Sequence, residues 1–132
     1  DSYFCKNDNC VLVDNFLKHF FIEFPDENKN NKLYILPVRD LTFENITYQY
    51  NCIDNICVSA YCSSNSQCLY DKCVNNKCIH NKDVSVVHCT YVIDKFLGME
   101  KTPSYMHCGI QDGESCNSNK ECSSKLCKNQ IC

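Results

Sequence analysis

The chain contains no tryptophan and, across 132 residues, only three glycines, three prolines and two methionines. So little Gly and Pro excludes a collagen-like or proline-rich polymer. No apolar run approaches the ~20 residues that a membrane-spanning helix needs, so no membrane insertion is expected within this segment. A dominant charge of one sign is also missing. Thirteen Lys and Arg stand against sixteen Asp and Glu, a formal net charge of −3 with the two signs interspersed. Nucleic acid or an anionic membrane would favour a basic patch, so neither is the expected partner. The opening residues Asp1-Ser2-Tyr3-Phe4-Cys5 lack the basic start and apolar stretch of a signal peptide. The expectation is mature or excised material, and the closing Cys132 suggests a trimmed piece or one unit of a longer array.

The motifs of common chemistries are absent as well. No Cys-x2-Cys knuckle occurs, and His19, His80, His88 and His107 form no ligand spacing, so a zinc site is not expected. There is no Gly-x-Ser-x-Gly elbow and no Gly-rich phosphate loop. Asp94 with Glu100, or Asp40 with Glu44, would serve as paired carboxylates, but solvated surface charge is the simpler reading. The acidic turns Asp112-Gly113-Glu114 and Asp26-Glu27 do not supply the ordered oxygen series of a calcium loop. The chain is therefore expected to have no catalytic residues, no cofactor and no metal.

What the chain has in abundance is cysteine, 14 in all. That density signals a disulfide scaffold and an oxidising, secreted or cell-surface compartment. The number is even, so every thiol can be paired. Long apolar residues concentrate in 10–50 and 84–106, whereas 52–80 and 108–132 hold few between their cysteines. Burial alone cannot offset a backbone entropy cost of about 1–2 kcal/mol per residue in those two stretches. Crosslinks worth about 2–4 kcal/mol each are the natural substitute.

The two stretches repeat each other. Cys62, Cys68, Cys73 and Cys78 follow Cys-x5-Cys-x4-Cys-x4-Cys, and Cys116, Cys122, Cys127 and Cys132 follow the same spacing with similar fillers. Upstream, Cys10-Val-Leu-Val-Asp-Asn-Phe-Leu resembles Cys89-Thr-Tyr-Val-Ile-Asp-Lys-Phe-Leu, and Tyr50-Asn51-Cys52 resembles Tyr105-Met106-His107-Cys108. This alignment gives two tandem units: 1–80, carrying a long insertion between Cys10 and Cys52, and 81–132. Each unit holds six cysteines, and Cys5 and Cys57 are left to bridge each other.

The expected fold class is small and disulfide-rich, built of short β-hairpins and loops, with a longer mixed helix and strand segment in the first unit. Leu12, Val13, Phe16, Leu17, Phe20, Phe21 and Phe24 fall at helical spacing before Pro25, which favours a helix from about residue 11. Phe-Phe-Ile-Glu-Phe also suits a strand. Residues 33–36 and 41–50 read as strands, 26–32 as a polar loop, and 92–97 as a one- or two-turn helix closed by Gly98. Four Cys-x4-Cys loops (5–10, 52–57, 73–78 and 127–132) centre on Asn, Asp or Gln, which suit the positive φ of a tight hairpin turn. The cysteines on the two arms of such a turn need not bond each other.

Over residues 62–78 and 116–132, this spacing and its Asn-rich terminal hairpin resemble extracellular cysteine-rich modules of Dickkopf N-terminal, colipase-like and EGF-like type. The resemblance implies crossed bridges 62–73, 68–78, 116–127 and 122–132. The vicinal cysteines and Gly-rich turn typical of those modules are missing, and nothing in them matches residues 10–52. Asn45-Ile46-Thr47 is an N-glycosylation sequon, which fits a secreted glycoprotein. Phe16, Phe20, Phe21, Phe24, Tyr34, Phe43, Tyr48 and Tyr50 are expected to form the core of the first unit, the alternative being an exposed partner surface. Tyr61, Tyr70 and Tyr105 lie among polar residues near cysteines and are the expected partner contacts. The functional expectation is a non-catalytic extracellular interaction module, part of a larger secreted or cell-surface protein, that binds a protein or glycan. The alternative is a small secreted effector, toxin or inhibitor.

Overall fold

The computed structural model describes residues 2–13, 20–25, 28, 30–37, 50–53, 56–92, 95–96, 99–100 and 105–132; at 50–53, 56–58, 95–96 and 99–100 it describes the backbone alone. The protein is a small disulfide-rich fold of strands and loops. Its strands are β1 (Ser2–Lys6), β2 (Asn9–Leu12), β3 (Phe21–Pro25), β4 (Asn31–Ile35), β5 (Tyr50–Ile53), β6 (Ile56–Ser59), β7 (Cys73–Val74), β8 (Lys77–Cys78), β9 (Val86–Val92), β10 (Lys95–Phe96), β11 (Met99–Glu100) and β12 (Tyr105–Gly109). Helical structure among the described residues is confined to two single 3-10 turns, Asn65–Gln67 and Asn119–Glu121.

Two compact units emerge, residues 1–13 with 86–132, and residues 14–85. The sequence division at 80 and 81 falls close to the second of these boundaries. The N-terminal hairpin, however, stands with the C-terminal unit, because β1 pairs with β9 from Ser2↔Thr90 to Lys6↔Val86.

The helix expected from residue 11 is not what the described residues form. Val11 and Leu12 lie in β2, and Phe21–Pro25 is β3, paired antiparallel with β4 from Phe21↔Ile35 to Pro25↔Asn31. Phe21, Ile22 and Phe24 are all buried, so the segment presents apolar groups on both faces of its strand. A strand buried on both faces loses the alternation that separates strand from helix in a sequence. The short helix expected over 92–97 is likewise replaced: Val92 ends β9, and Lys95–Phe96 pairs with Met99–Glu100. Of the other expected strands, 33–35 fall in β4 and Tyr50 opens β5, while 41–49 lie outside the described residues.

The two cysteine motifs adopt the same structure. In the first, Cys62–Cys73 and Cys68–Cys78 are crossed bridges; in the second, Cys116–Cys127 and Cys122–Cys132 are. Each begins with a 3-10 turn whose leading Asn caps a later cysteine. Asn65 Oδ1 accepts from the Cys73 N–H, and Asn119 Oδ1 from the Cys127 N–H, at 2.8 Å in both. The turns Asn75-Asn76 and Asn129-Gln130 have φ of 51°, 62°, 53° and 63°, the left-handed pair that a two-residue hairpin demands. Asn7-Asp8, between β1 and β2, shares it with φ of 50° and 67°.

The strand feeding each module is also equivalent, but not as the sequence alignment has it. The Leu69 N–H donates to the Ile35 carbonyl (3.0 Å), and the Ser123 N–H donates to the Ile110 carbonyl (2.9 Å). Ile35 and Ile110 form parallel bridges with Cys68 and Cys122 respectively. The counterpart of β12 is therefore β4 and that of β9 is β3, so neither the strand of Cys52 nor that of Cys10 corresponds. Leu33 opposite Glu23 stands where the second unit has the Cys108–Cys89 bridge. A cysteine-based alignment has nothing to hold there.

The expected Cys5–Cys57 bridge is overturned. Cys5 bonds Cys10, its direct partner across β1 and β2. The x4 loop at the N-terminus thus joins its own arms, whereas those at 73–78 and 127–132 do not. Cys52 and Cys57 are opposed in register on β5 and β6, and no described cysteine is free.

Candidate interaction surface

The most distinctive surface lies on the unit formed by 1–13 and 86–132, and it follows from strand parity. The sheet order is β12-β9-β1-β2. Directly opposed residues share a face. The pairs Tyr3↔Leu12, Cys5↔Cys10, Tyr3↔Cys89, Cys5↔Val87, Cys89↔Cys108 and Tyr91↔Met106 therefore place nine side chains on one side. None of the nine is charged.

The opposite face carries Phe4, Lys6, Val86, His88, His107 and Tyr105, and the C-terminal module packs over it. Phe4, Lys6 and Val86 are buried. His107 Nε2 lies 3.1 Å from the Lys120 carbonyl, and the Lys125 ammonium sits 4.9 Å from the centre of the Tyr105 ring. Gly109 makes the close approach possible, since a Cβ there would collide with the Glu121 carbonyl oxygen. The Ile110 N–H donates to that same oxygen at 2.7 Å.

With one face covered, the other remains open. Leu12 is 48% exposed, Val87 38%, Tyr91 53% and Met106 39%. Tyr91 and Met106 oppose each other on neighbouring strands, so their exposure is contiguous. Adjoining exposed apolar side chains make this face a candidate for recognition, and a tyrosine with a methionine is a composition enriched at protein interfaces. The sequence carried this signal in the alternation Val87-x-Cys89-x-Tyr91, flanked by Cys10-x-Leu12 and Met106-x-Cys108.

The tyrosines singled out by sequence do not gather into a site. Tyr70 is 1% exposed and packs against His80 with ring centroids 4.6 Å apart, so it is a core residue and not a contact. Its polar sequence neighbours gave no hint of this. Tyr61 is half-buried against a cluster that includes Phe21, Ile35, Cys62 and Cys68. Tyr105 is half-buried, with its ring under Lys125. Phe21 and Phe24 belong to the core, as expected of the aromatic group; Phe16, Phe43 and Tyr48 lie outside the described residues. So do the sequon Asn45-Ile46-Thr47 and Asp26, Glu27, Asp40, Glu44 and Asp94.

Two arrangements resemble chemistry and are better explained structurally. The sulfurs of Cys62, Cys68 and Cys78, and those of Cys116, Cys122 and Cys132, lie within 4.8 Å of one another. All six are committed to disulfides and cannot offer a thiolate to a metal. His88 Nδ1 lies 2.7 Å from Ser123 Oγ, a spacing seen in nucleophile–base pairs. Ser123 is 0% exposed, so no substrate can reach its hydroxyl. Burial pushes the His88 pKa below its ordinary 6.5, and the negative charge of Asp112 opposes this. The pair is an internal hydrogen bond that holds the module against the sheet.

No protein-family model, curated protein or solved structure matches the chain. Among the described residues no helix is long and apolar enough to cross a membrane. The density of disulfides is typical of extracellular or secreted proteins.

Proposed function

We propose that the chain is a non-catalytic extracellular interaction module that engages a protein or glycan partner. The observation that carries this reading is the uncharged open face of the four-stranded sheet, centred on Tyr91 and Met106. An aromatic ring and a thioether side by side provide the flat, adaptable apolar contact that recognition by packing or by stacking uses. The disulfide scaffold supports the same reading, because it holds a small sheet rigid without a large core, and rigidity lowers the entropy cost of binding. The secreted or cell-surface location rests on the thiol chemistry of the fold.

The test is a screen of the folded chain against extracellular proteins and an array of glycans, run beside the double variant Tyr91→Asp, Met106→Asp. Both side chains are exposed, so the variant is expected to fold with its bridges intact. Binding that disappears in the variant supports the reading. Binding that survives unchanged moves the site elsewhere, and no specific binding to either library contradicts the reading.

A further inference from the structure

The open face carries a feature that packing does not require. Two cross-strand disulfides lie on it side by side, Cys5–Cys10 and Cys89–Cys108, each with a Cα–Cα distance of 4.0 Å. Their inner sulfurs, Sγ of Cys5 and Sγ of Cys89, are 3.8 Å apart. Across the strand order β2-β1-β9-β12 the four cysteines form a stepped row, Cys10–Cys5···Cys89–Cys108, with a two-residue offset between β1 and β9 because Cys5 opposes Val87 and Tyr3 opposes Cys89. The outer members, Cys10 and Cys108, are exposed, whereas Cys89 is buried and Cys5 half-buried.

Thiol–disulfide exchange proceeds when a thiolate attacks one sulfur of a bridge and expels the other. The 3.8 Å separation puts the Cys5 sulfur within reach of the Cys89 sulfur, and attack there would break the bridge to Cys108 and make Cys108 the leaving thiolate. We propose that the row is a thiol-exchange site, in which an external thiol entering at an exposed end converts the two outer bridges into the single inner bridge Cys5–Cys89.

The steps balance. A thiolate RS⁻ attacks the Cys10 sulfur, forming a mixed disulfide and releasing the Cys5 thiolate. That thiolate attacks the Cys89 sulfur, forming Cys5–Cys89 and releasing Cys108, which takes a proton from water. A second RS⁻ attacks the sulfur of R in the mixed disulfide, forming RSSR and freeing Cys10. Two thiols have given two electrons, and the chain has exchanged two bridges for one bridge and two thiols. Entry at Cys108 runs the same sequence from the other end. The product ties the N-terminal hairpin covalently to β9 and leaves both thiols on the exposed side of the sheet. In the crossed modules no cysteine is exposed as Cys10 and Cys108 are: Cys73, Cys127 and Cys132 are half-buried and the other five buried, which shields those bridges from the same attack.

The experiment treats the folded chain with reduced glutathione in one arm and with a reduced Cys-x-x-Cys oxidoreductase in another. Free thiols are then alkylated under native conditions and the bridges mapped by mass spectrometry after non-reducing trypsin digestion. Cleavage after Lys6 separates Cys5 from Cys10, and cleavage after Lys95 separates Cys89 from Cys108. The expected result is equal label on Cys10 and Cys108 together with a Cys5–Cys89 crosslinked peptide. Its appearance with glutathione identifies a small thiol as sufficient, and its appearance only with the oxidoreductase identifies a protein thiol as the reductant. Label on Cys5 and Cys10 with Cys89–Cys108 intact, or no exchange in either arm, overturns the proposal. The variant Cys10→Ser gives a second readout without added reductant: a Cys5–Cys89 bridge and a free Cys108 support the relay, while a free Cys5 beside an intact Cys89–Cys108 contradicts it.

Discussion

His88 on the central strand β9 and Ser123 in the C-terminal module meet through a 2.7 Å contact between Nδ1 and Oγ, in a place where water has no access to the serine. The corresponding positions of the other unit, by the pairing of strands and modules, are Ile22 and Leu69, both buried and apolar. At these positions one unit joins sheet to module through a titratable side chain, and the other through two apolar ones.

The His88 contact therefore contributes a pH-dependent part of the stability of its unit. Burial lowers the folded-state pKa of His88 below its ordinary 6.5. On acidification the unfolded chain therefore takes up the proton first. The stabilisation is complete above the unfolded value and is lost as pH falls through the lower folded value. Urea unfolding of the wild type should show a falling midpoint below about pH 6.5, and His88→Asn should flatten that part of the profile. An identical slope in both proteins would place the titration on another group.

Gly109 is the second point where chemistry is tightly specified. Any Cβ at this position meets the Glu121 carbonyl oxygen, with the Cys122 carbonyl carbon 3.0 Å away, and both are backbone atoms that cannot swing aside. Gly109→Ala should destabilise the unit by about 1–3 kcal/mol, the usual range for overpacking. Urea denaturation measures this directly, and a neutral substitution would mean that the module does not lie so close to β12.

Asn65 and Asn119 offer a matched pair. Each accepts a hydrogen bond from the N–H of the cysteine eight residues on. Asn65→Ala and Asn119→Ala should each cost about 0.5–1.5 kcal/mol. Asp at either position keeps an acceptor oxygen and should recover most of the loss. Thermal unfolding of the four variants tests the equivalence of the modules, because the two positions should respond alike.

Local chemistry made part of this fold legible. Asn and Asp tolerate left-handed backbone, so the x4 loops at Asn7-Asp8 and Asn75-Asn76 announced their turns, and Gln130 follows by repetition. The repeat itself was visible because four cysteines fix its spacing. Strand partnership was harder to read. Phe21, Ile22 and Phe24 are buried on both sides of β3, which erased the period that would have separated strand from helix. The equivalence of β4 and β12 was hidden because one carries Leu33 where the other carries Cys108. Tyr70 looked exposed from its neighbours, and its burial depends on residues distant in the chain. The open face was encoded in the parity of Cys10, Cys89 and Cys108, but parity acquires meaning only when the four strands are known to share one sheet.

The central claim is that crossed sulfur bridges, repeated in two modules, hold the cysteine-dense segments in shape. Non-reducing peptide mapping of the native chain tests it most directly. The account requires Cys62–Cys73, Cys68–Cys78, Cys116–Cys127 and Cys122–Cys132. Bridges between the arms of each hairpin, Cys73 to Cys78 and Cys127 to Cys132, or free thiols at these eight positions, would contradict it.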